Sequence, residues 1–279
     1  MKDVLSIYIP TLNEEINLPQ CLASVSKLGA TIYVVDSNST DRTVEIAQAA
    51  GCQVATGNWR TFSDKMNWAI NELPIQTPWT LRIDADEWLT DELIAELKTR
   101  LRSTPDDVGA YSVNRRVYFL KRWIRFGGMY PLWGTRLWRS GKAKCEVREL
   151  DEYMEVIGRI EKLEHDIVDE GQRGLTYWVQ KHNQYADAEV REILRAQGQD
   201  DASNTLTTQA ARKRWLKANF YYRLPKFWRV FLFWIYRYFF KLGFLDGVPG
   251  LIYHILHGFW YRFLVDAKLY EIESRSKSL

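Results

Sequence analysis

The sequence predicts an α/β fold with a mostly parallel sheet flanked by helices, followed by an aromatic-rich helical extension. Three observations lead there. Short β-branched or aromatic runs alternate with helix-patterned segments over the first ninety residues. Acidic residues sit where three of those runs stop. Past residue 212 the composition turns basic and aromatic. Alternating strand and helix patterns argue for parallel strands joined by right-handed crossovers.

The elements follow in order. Val4–Pro10 reads as a buried first strand, entering the polar loop Thr11-Leu12-Asn13-Glu14-Glu15 and a helix carrying Leu18, Leu22 and Val25. Thr31–Asp36 reads as a second strand, followed by the hydroxyl-rich loop Ser37-Asn38-Ser39-Thr40-Asp41. Asp41 or Thr40 can cap the next helix, Val44–Ala50. Gln53–Ala55 is a short third strand. Lys65 and Asn67 precede a helix at Trp68-Ala69-Ile70. A fourth apolar run, with Trp79, Leu81 and Ile83, delivers Asp84-Ala85-Asp86-Glu87. Strand alternation places Asp84 and Asp86 on the same side at the strand's carboxyl end; the plainer alternative is a polar turn. Ligands of open α/β sheets bind beyond the carboxyl ends of the strands. Paired carboxylates there suit a hard divalent cation that also holds phosphates.

Composition bounds the rest. At 279 residues with 46% hydrophobic content, one α/β domain plus an appendage is the natural count. A net charge of +3 is too small to argue for nucleic acid, and no nucleic-acid module pattern is present. Three scattered cysteines, Cys21, Cys52 and Cys145, lack metal spacing and read as free thiols of a reducing cytoplasm. Met1–Ser6 lacks the basic and apolar regions of a signal peptide. The expected organisation is a catalytic domain over 1–195, a polar linker over 196–211 and a basic, aromatic helical region over 212–279.

In that last region Lys226, Arg229, Arg237 and Lys241 fall within an arc of about 120° on a helical projection, among Phe, Trp, Tyr and Leu. A cationic stripe beside a broad aromatic face fits a helix lying on an anionic membrane. A break over Leu242–Gly250 precedes a second apolar stretch, Leu251–Val265. Neither stretch reaches the roughly 20 uninterrupted apolar residues of a spanning helix. The alternative is a helical hairpin packed on the catalytic domain or on a second subunit, forming a homo-oligomer. The membrane reading places the protein in the cytoplasm, peripheral on the inner face of the cell membrane.

Three segments, Ile9–Glu15, Val35–Asp41 and Asp84–Glu87, resemble in order and spacing the family 2 glycosyltransferases of the Rossmann-like GT-A fold. The resemblance covers roughly residues 3 to 185. It implies inverting transfer of a sugar from a UDP-sugar, with Mn2+ or Mg2+ as cofactor. Pro10, Thr11, Asn13, Glu14, Asp36 and Ser37 would form the nucleoside loops, with Thr11, Glu14 and Asp36 on uracil and ribose. Lys65 would lie near the donor, and Asp84 with Ala85 near ribose or phosphates. Asp86 would ligate the metal. His165 would be a further metal ligand or diphosphate contact, or a plain structural hydrogen-bonder.

The acidic run Glu149-Leu150-Asp151-Glu152 lies where such enzymes carry a catalytic base, with Asp151 first, Glu152 second and Glu149 third; a solvated acidic loop is the alternative. Arg125–Pro131, with paired glycines, reads as an acceptor-side loop or a turn between strands. The resemblance is strongest to enzymes of lipopolysaccharide core and exopolysaccharide, so a glycan or glycolipid acceptor is expected. A polyprenyl-phosphate sugar synthase would use the same donor site. A sugar nucleotidyltransferase would need a glycine-rich basic loop after the first strand, where this chain is acidic and lacks glycine. A non-enzymatic nucleotide-sugar-binding scaffold is the remaining alternative.

Overall fold

The computed structural model describes residues 1–148, 153–196, 215–216 and 219–276. Two compact units emerge: Met1–Tyr118 with Pro131–Gly174, and Phe119–Tyr130 with Leu175–Leu279.

In the first unit, strands β1 (Leu5–Thr11), β2 (Thr31–Asp36), β3 (Gln53–Thr56) and β4 (Trp79–Arg82) alternate with helices α1 (Leu18–Val25), α2 (Thr43–Ala49) and α3 (Phe62–Glu72). Then come β5 (Glu87–Leu89), α4 (Asp91–Arg100) and β6 (Val108–Phe119). The short strand β7 (Arg122–Trp123) belongs to the second unit, and β8 (Trp133–Arg139), β9 (Ala143–Cys145), β10 (Met154–Val156) and β11 (Arg159–Asp169) return to the first. The main strand order is β3-β2-β1-β4-β8-β6-β11-β5. The β3-β2-β1-β4 half and the β6–β11 pair are parallel; β8 runs antiparallel to β4 and β6, as β5 does to β11.

Period-two alternation explains why β1 is buried throughout. Leu5, Ile7 and Ile9 face one core with Leu22 of α1 and Leu93 and Leu97 of α4. Tyr8 faces the other, with Tyr33, Val35, Trp138 and Met66 and Ala69 of α3. A strand covered on both faces reads as a continuous apolar run, as parallel strands do. The order of strand addition reverses between β1 and β4: β2 and β3 lie on one side of β1, β4 on the other. This is the switch point where such sheets open a ligand crevice.

Three expectations are corrected. Lys65 and Asn67 lie inside α3, which a Thr61–Asp64 capping box starts earlier. Arg42 takes the N-cap position of α2, while Asp41 accepts the Thr43 N–H at 3.0 Å. The second unit begins well before residue 212, because α5 (Gly174–Ala196) packs Ala186 and Val190 against Tyr261, Val265 and Leu269. The expected linker lies almost wholly outside the described residues.

The second unit also contains α6 (Trp228–Ile235), continued by a π-helical turn to Phe240, then α7 (Gly247–Tyr253), a π-helical stretch to Trp260 and α8 (Tyr261–Ser276). The two arginines of the expected cationic stripe are turned inward, whereas Lys226 is half-buried and Lys241 exposed. Arg229 and Arg237 are 3% and 6% exposed. Arg229 donates to Asp266 from Nε at 3.0 Å, and Arg237 Nε donates to the Gly127 carbonyl at 2.7 Å. Lys226 pairs with Glu273. Burial of a cation requires a partner, and the partners lie on the inner side of the hairpin. Gly127, at φ +67°, is demanded by close packing: a Cβ there would lie 2.0 Å from His254 Cε1.

Candidate nucleotide-sugar site

The loops after β1 and β2 interlock at the carboxyl edge of the sheet. Thr11 Oγ1 donates to Asp36 Oδ1 at 2.7 Å, and the Ser39 N–H donates to Asp36 Oδ2 at 2.7 Å. Ser39 Oγ donates to Asp36 Oδ1 at 2.5 Å and accepts the Asn13 N–H at 2.7 Å. Asn13 adopts φ +54°, a conformation Asn tolerates better than most residues, and its Oδ1 accepts the Thr40 N–H at 2.7 Å. The Glu14 N–H donates to Thr43 Oγ1 at 2.7 Å. Glu14 Oε2 accepts from Asn17 at 2.6 Å, while its Oε1 lies 3.8 Å from Arg173. Asp36 is fully buried. Both its oxygens organise the two loops, a role sequence reasoning did not assign to it.

Pro10 pairs in register with Val35, two positions past the last β1–β4 pair, Tyr8 with Arg82. A residue without an N–H is tolerated where that neighbour has ended. Lys65 reaches in from α3. Its Nζ donates to the Thr11 carbonyl at 2.7 Å and to Ser37 Oγ at 2.9 Å. Burial pushes its amine down to about 8, against the opposing pull of Asp36, Asp84 and Glu14.

The acidic motif is a turn and not a continued strand. β4 ends at Arg82, and the Glu87 N–H returns to the Asp84 carbonyl at 2.9 Å. The strand-alternation argument for Asp84 and Asp86 therefore does not apply. Instead a knot of charges fixes the turn. Arg82 donates to Asp84 from Nε at 3.0 Å and from Nη2 at 2.9 and 3.0 Å to its two oxygens. Arg136 of β8 bridges Asp84 at 3.2 Å and Glu87 at 2.6 Å. Arg115 lies 3.5 Å from both Glu87 and Asp169. Glu87 Oε2 accepts the Asp84 N–H at 3.0 Å.

Burial alone would raise the Asp84 carboxyl, but Arg136 and Arg82 hold it well below the usual carboxylate range. Burial raises Glu87, only partly offset by Arg136. Ala85 is packed into the core, and the Asp86 carbonyl accepts the Glu170 N–H at 3.0 Å.

Sequence reasoning missed Arg82, Arg136, Arg115 and the role of Glu87. The available signal was arginine inside strands that otherwise read as apolar, as in Thr135-Arg136-Leu137-Trp138.

His165 is not brought to this turn. Its Nδ1 lies 3.0 Å from Glu96 of α4, and the Glu96 carboxylate also accepts the Glu164 and His165 N–H groups. Glu87 pairs with Asp169, four residues further along β11, so His165 sits about 13 Å down the strand. Among the described residues no group of three His, Cys, Asp or Glu side chains is arranged to hold a metal. Asp84 is committed to two arginines. A cation at this turn would rest on the carboxylate of Asp86, with phosphate and water oxygens completing its shell, an arrangement magnesium accepts.

Asp151, Glu152 and Glu149 lie outside the described residues. Their flanks are held. The Glu146 N–H donates to the Tyr153 carbonyl at 2.8 Å, and Ser63 of α3 donates to the Arg148 carbonyl at 3.0 Å. Asn67 makes two 2.9 Å bonds with the Cys145 backbone.

Comparison with known proteins agrees with this architecture. Over 150 residues the chain is 31% identical to the lipopolysaccharide core biosynthesis glycosyltransferase LpsC of Rhizobium meliloti, covering 52% of this chain and 54% of that protein. It thus spans about half the length of that relative. An uncharacterized glycosyltransferase of Rickettsia typhi is 26% identical over 288 residues, covering 99% of this chain and 89% of its own length. The mannosyltransferase PcManGT of Pyrobaculum calidifontis, solved with GDP-Man and Mn2+, shares the fold at a TM-score of 0.53 and 14% identity, covering 96% of this chain and 87% of that one. The family model described as glycosyl transferase family 2 matches residues 6–151, more than half of the chain, which therefore belongs to that family.

Proposed function

We propose that this protein is a glycosyltransferase that moves a sugar, with inversion, from a UDP-sugar to a hydroxyl of a lipid-linked glycan or lipopolysaccharide-core acceptor. The observation that carries the donor reading is the Thr11–Asp36–Ser39 lock with Lys65 beside it, at the switch point and next to the Asp84–Glu87 turn. With Asp36 spent on ordering the loops, the partly exposed side chains of Asn13, Glu14 and Ser37 beside it are suited to a nucleoside. Lys65 supplies a cation for phosphate. The arginine knot keeps Asp84 ionised and the Asp86 turn rigid, so the site is organised before the donor arrives. A divalent cation held by Asp86 would neutralise charge on the departing diphosphate. Asp151, or Glu152 after it, would take the proton of the acceptor hydroxyl. The likeness to LpsC supports the acceptor class.

The test is transfer from a panel of labelled nucleotide sugars to lipopolysaccharide-core and polyprenyl-phosphate acceptors. Transfer from a UDP-sugar to the core acceptor is expected, lost with EDTA, restored by Mn2+ or Mg2+, and lost in Asp86→Ala. Asp151→Asn should lower turnover by roughly 10²-fold or more with donor affinity retained. Full activity in EDTA would remove the metal from the reaction, and preference for a purine nucleotide would overturn the uridine assignment. Transfer only to polyprenyl phosphate would make the enzyme a lipid-phosphate sugar synthase.

A further inference from the structure

We infer that the hairpin of the second unit inserts into the hydrocarbon of one bilayer leaflet, driven by apolar faces and not by a cationic stripe. The α6 segment is inside out for water. Arg229 and Arg237, two turns apart, point inward and are buried. Phe233, between them on the same face, packs its ring 5.6 Å from the Arg237 guanidinium. The opposite stripe, Trp228, Phe231, Leu232, Ile235 and Phe239, is exposed, with Trp228 at 71% and neighbouring Phe240 at 75%. The returning helix repeats the pattern: Val248, Ile255, Phe263 and Tyr270 face outward, while Asp266 is turned in to Arg229. Water selects the reverse arrangement, with charges out and rings in.

The hairpin's tip points to the occupant. Loop tips in water carry polar turn residues. Here Leu242, Phe244 and Leu245 are exposed, whereas the one acid of the turn, Asp246, is buried and accepts the Arg125 and Phe126 N–H groups at 3.1 and 2.9 Å. Lys241, the exposed cation beside the tip, lays its amine 5.6 Å from the Tyr236 ring, as a snorkelling lysine does.

Length sets the depth. Among the described residues no single helix is long and apolar enough to cross a membrane, but Trp228–Phe240 and Gly243–Ser276 qualify together, bent by 67°. At 1.5 Å per residue the first arm is about 20 Å long, short of the ~30 Å hydrocarbon core. The chain therefore dips and returns, with the Arg229–Asp266 ion pair entering as a neutral unit and Arg237 entering bound to the Gly127 carbonyl and His257.

Flotation of the full-length protein tests this, using vesicles of phosphatidylcholine alone and of phosphatidylcholine with phosphatidylglycerol. Binding to both, retained in 1 M NaCl, is expected, because salt screens charge and leaves apolar burial in place. The exposed tip variant Phe244→Ser with Leu245→Ser, checked for native circular dichroism, should weaken partitioning by roughly 100-fold. Trp228→Ser with Phe240→Ser provides a second, independent lesion. Binding only to anionic vesicles, released by salt, would overturn the inference in favour of surface electrostatics. Failure to float, with a dimer in sedimentation that the tip variant converts to monomer, would assign the face to a second copy of the chain. None of these readouts depends on the donor or acceptor.

Discussion

Arg136→Met tests the charge knot under the acidic turn most directly. The substitution keeps most of the side chain's volume and removes its charge. Arg136 Nη2 lies 2.6 Å from Glu87, which is 1% exposed, and Nη1 lies 3.2 Å from Asp84. Asp84 retains Arg82 at 2.9 Å, but Glu87 keeps, among the described residues, Arg115 at 3.5 Å and the Asp84 N–H at 3.0 Å. Removing one partner of a buried pair typically costs about 3–5 kcal/mol, because the other charge stays buried without compensation. For a unit of this size each kcal/mol lowers Tm by roughly 2–4 °C, so a drop of roughly 10 °C is expected at pH 7.

The pH dependence carries the sharper test. Burial already raises the Glu87 carboxyl, and losing Arg136 raises it further. A carboxyl whose folded value lies above its unfolded value binds more protons in the folded state, so the variant gains stability as pH falls. The gap between wild type and variant should therefore narrow from pH 8 to pH 5, by at most about 1.4 kcal/mol per pH unit. Thermal melts of both proteins across that range measure it. A gap that stays constant with pH, or a loss under about 1 kcal/mol at pH 7, would refute the reasoning that Arg136 compensates a buried carboxylate.

Three further outcomes follow from single positions. Burial lowers the Lys65 amine to about 8, so donor affinity, read by calorimetry, should decline as pH rises through 8, and Lys65→Met should flatten that profile. Stability should move the opposite way. Between about 8 and the unfolded value of about 10.4 the unfolded chain holds a proton the folded chain lacks, which favours folding as pH rises. Gly127→Ala forces a Cβ to 2.0 Å from His254, with backbone at φ +67°, whereas Gly128, at φ +74°, meets nothing within 4 Å. Gly127→Ala should cost about 2–4 kcal/mol and Gly128→Ala about 1 in denaturant melts; equal costs would remove the packing argument.

The sequence by itself determined the alternating strands and helices, the three polar loops and their order, and the break in composition toward the C-terminus. These are local features. Apolar runs such as Leu5–Pro10, and turn chemistry such as Ser37–Asp41, act over a few residues and are legible there. Tertiary structure alone decided where charges find partners. Arg136 meets Glu87 across 49 residues of chain, Lys65 meets Thr11 across 54, and Arg229 meets Asp266 across 37. That is why the acidic motif looked like a strand end and is a turn fixed by arginines. It is also why the sequence left His165 open between a ligand and a structural hydrogen-bonder, while the fold sets its Nδ1 3.0 Å from Glu96. In the C-terminal helices a helical projection placed the arginines correctly on one face. Whether that face met water or the interior depended on Asp266 and Gly127, carried by distant segments. Periodicity fixes which residues share a face; only the packing of remote elements fixes which way it points.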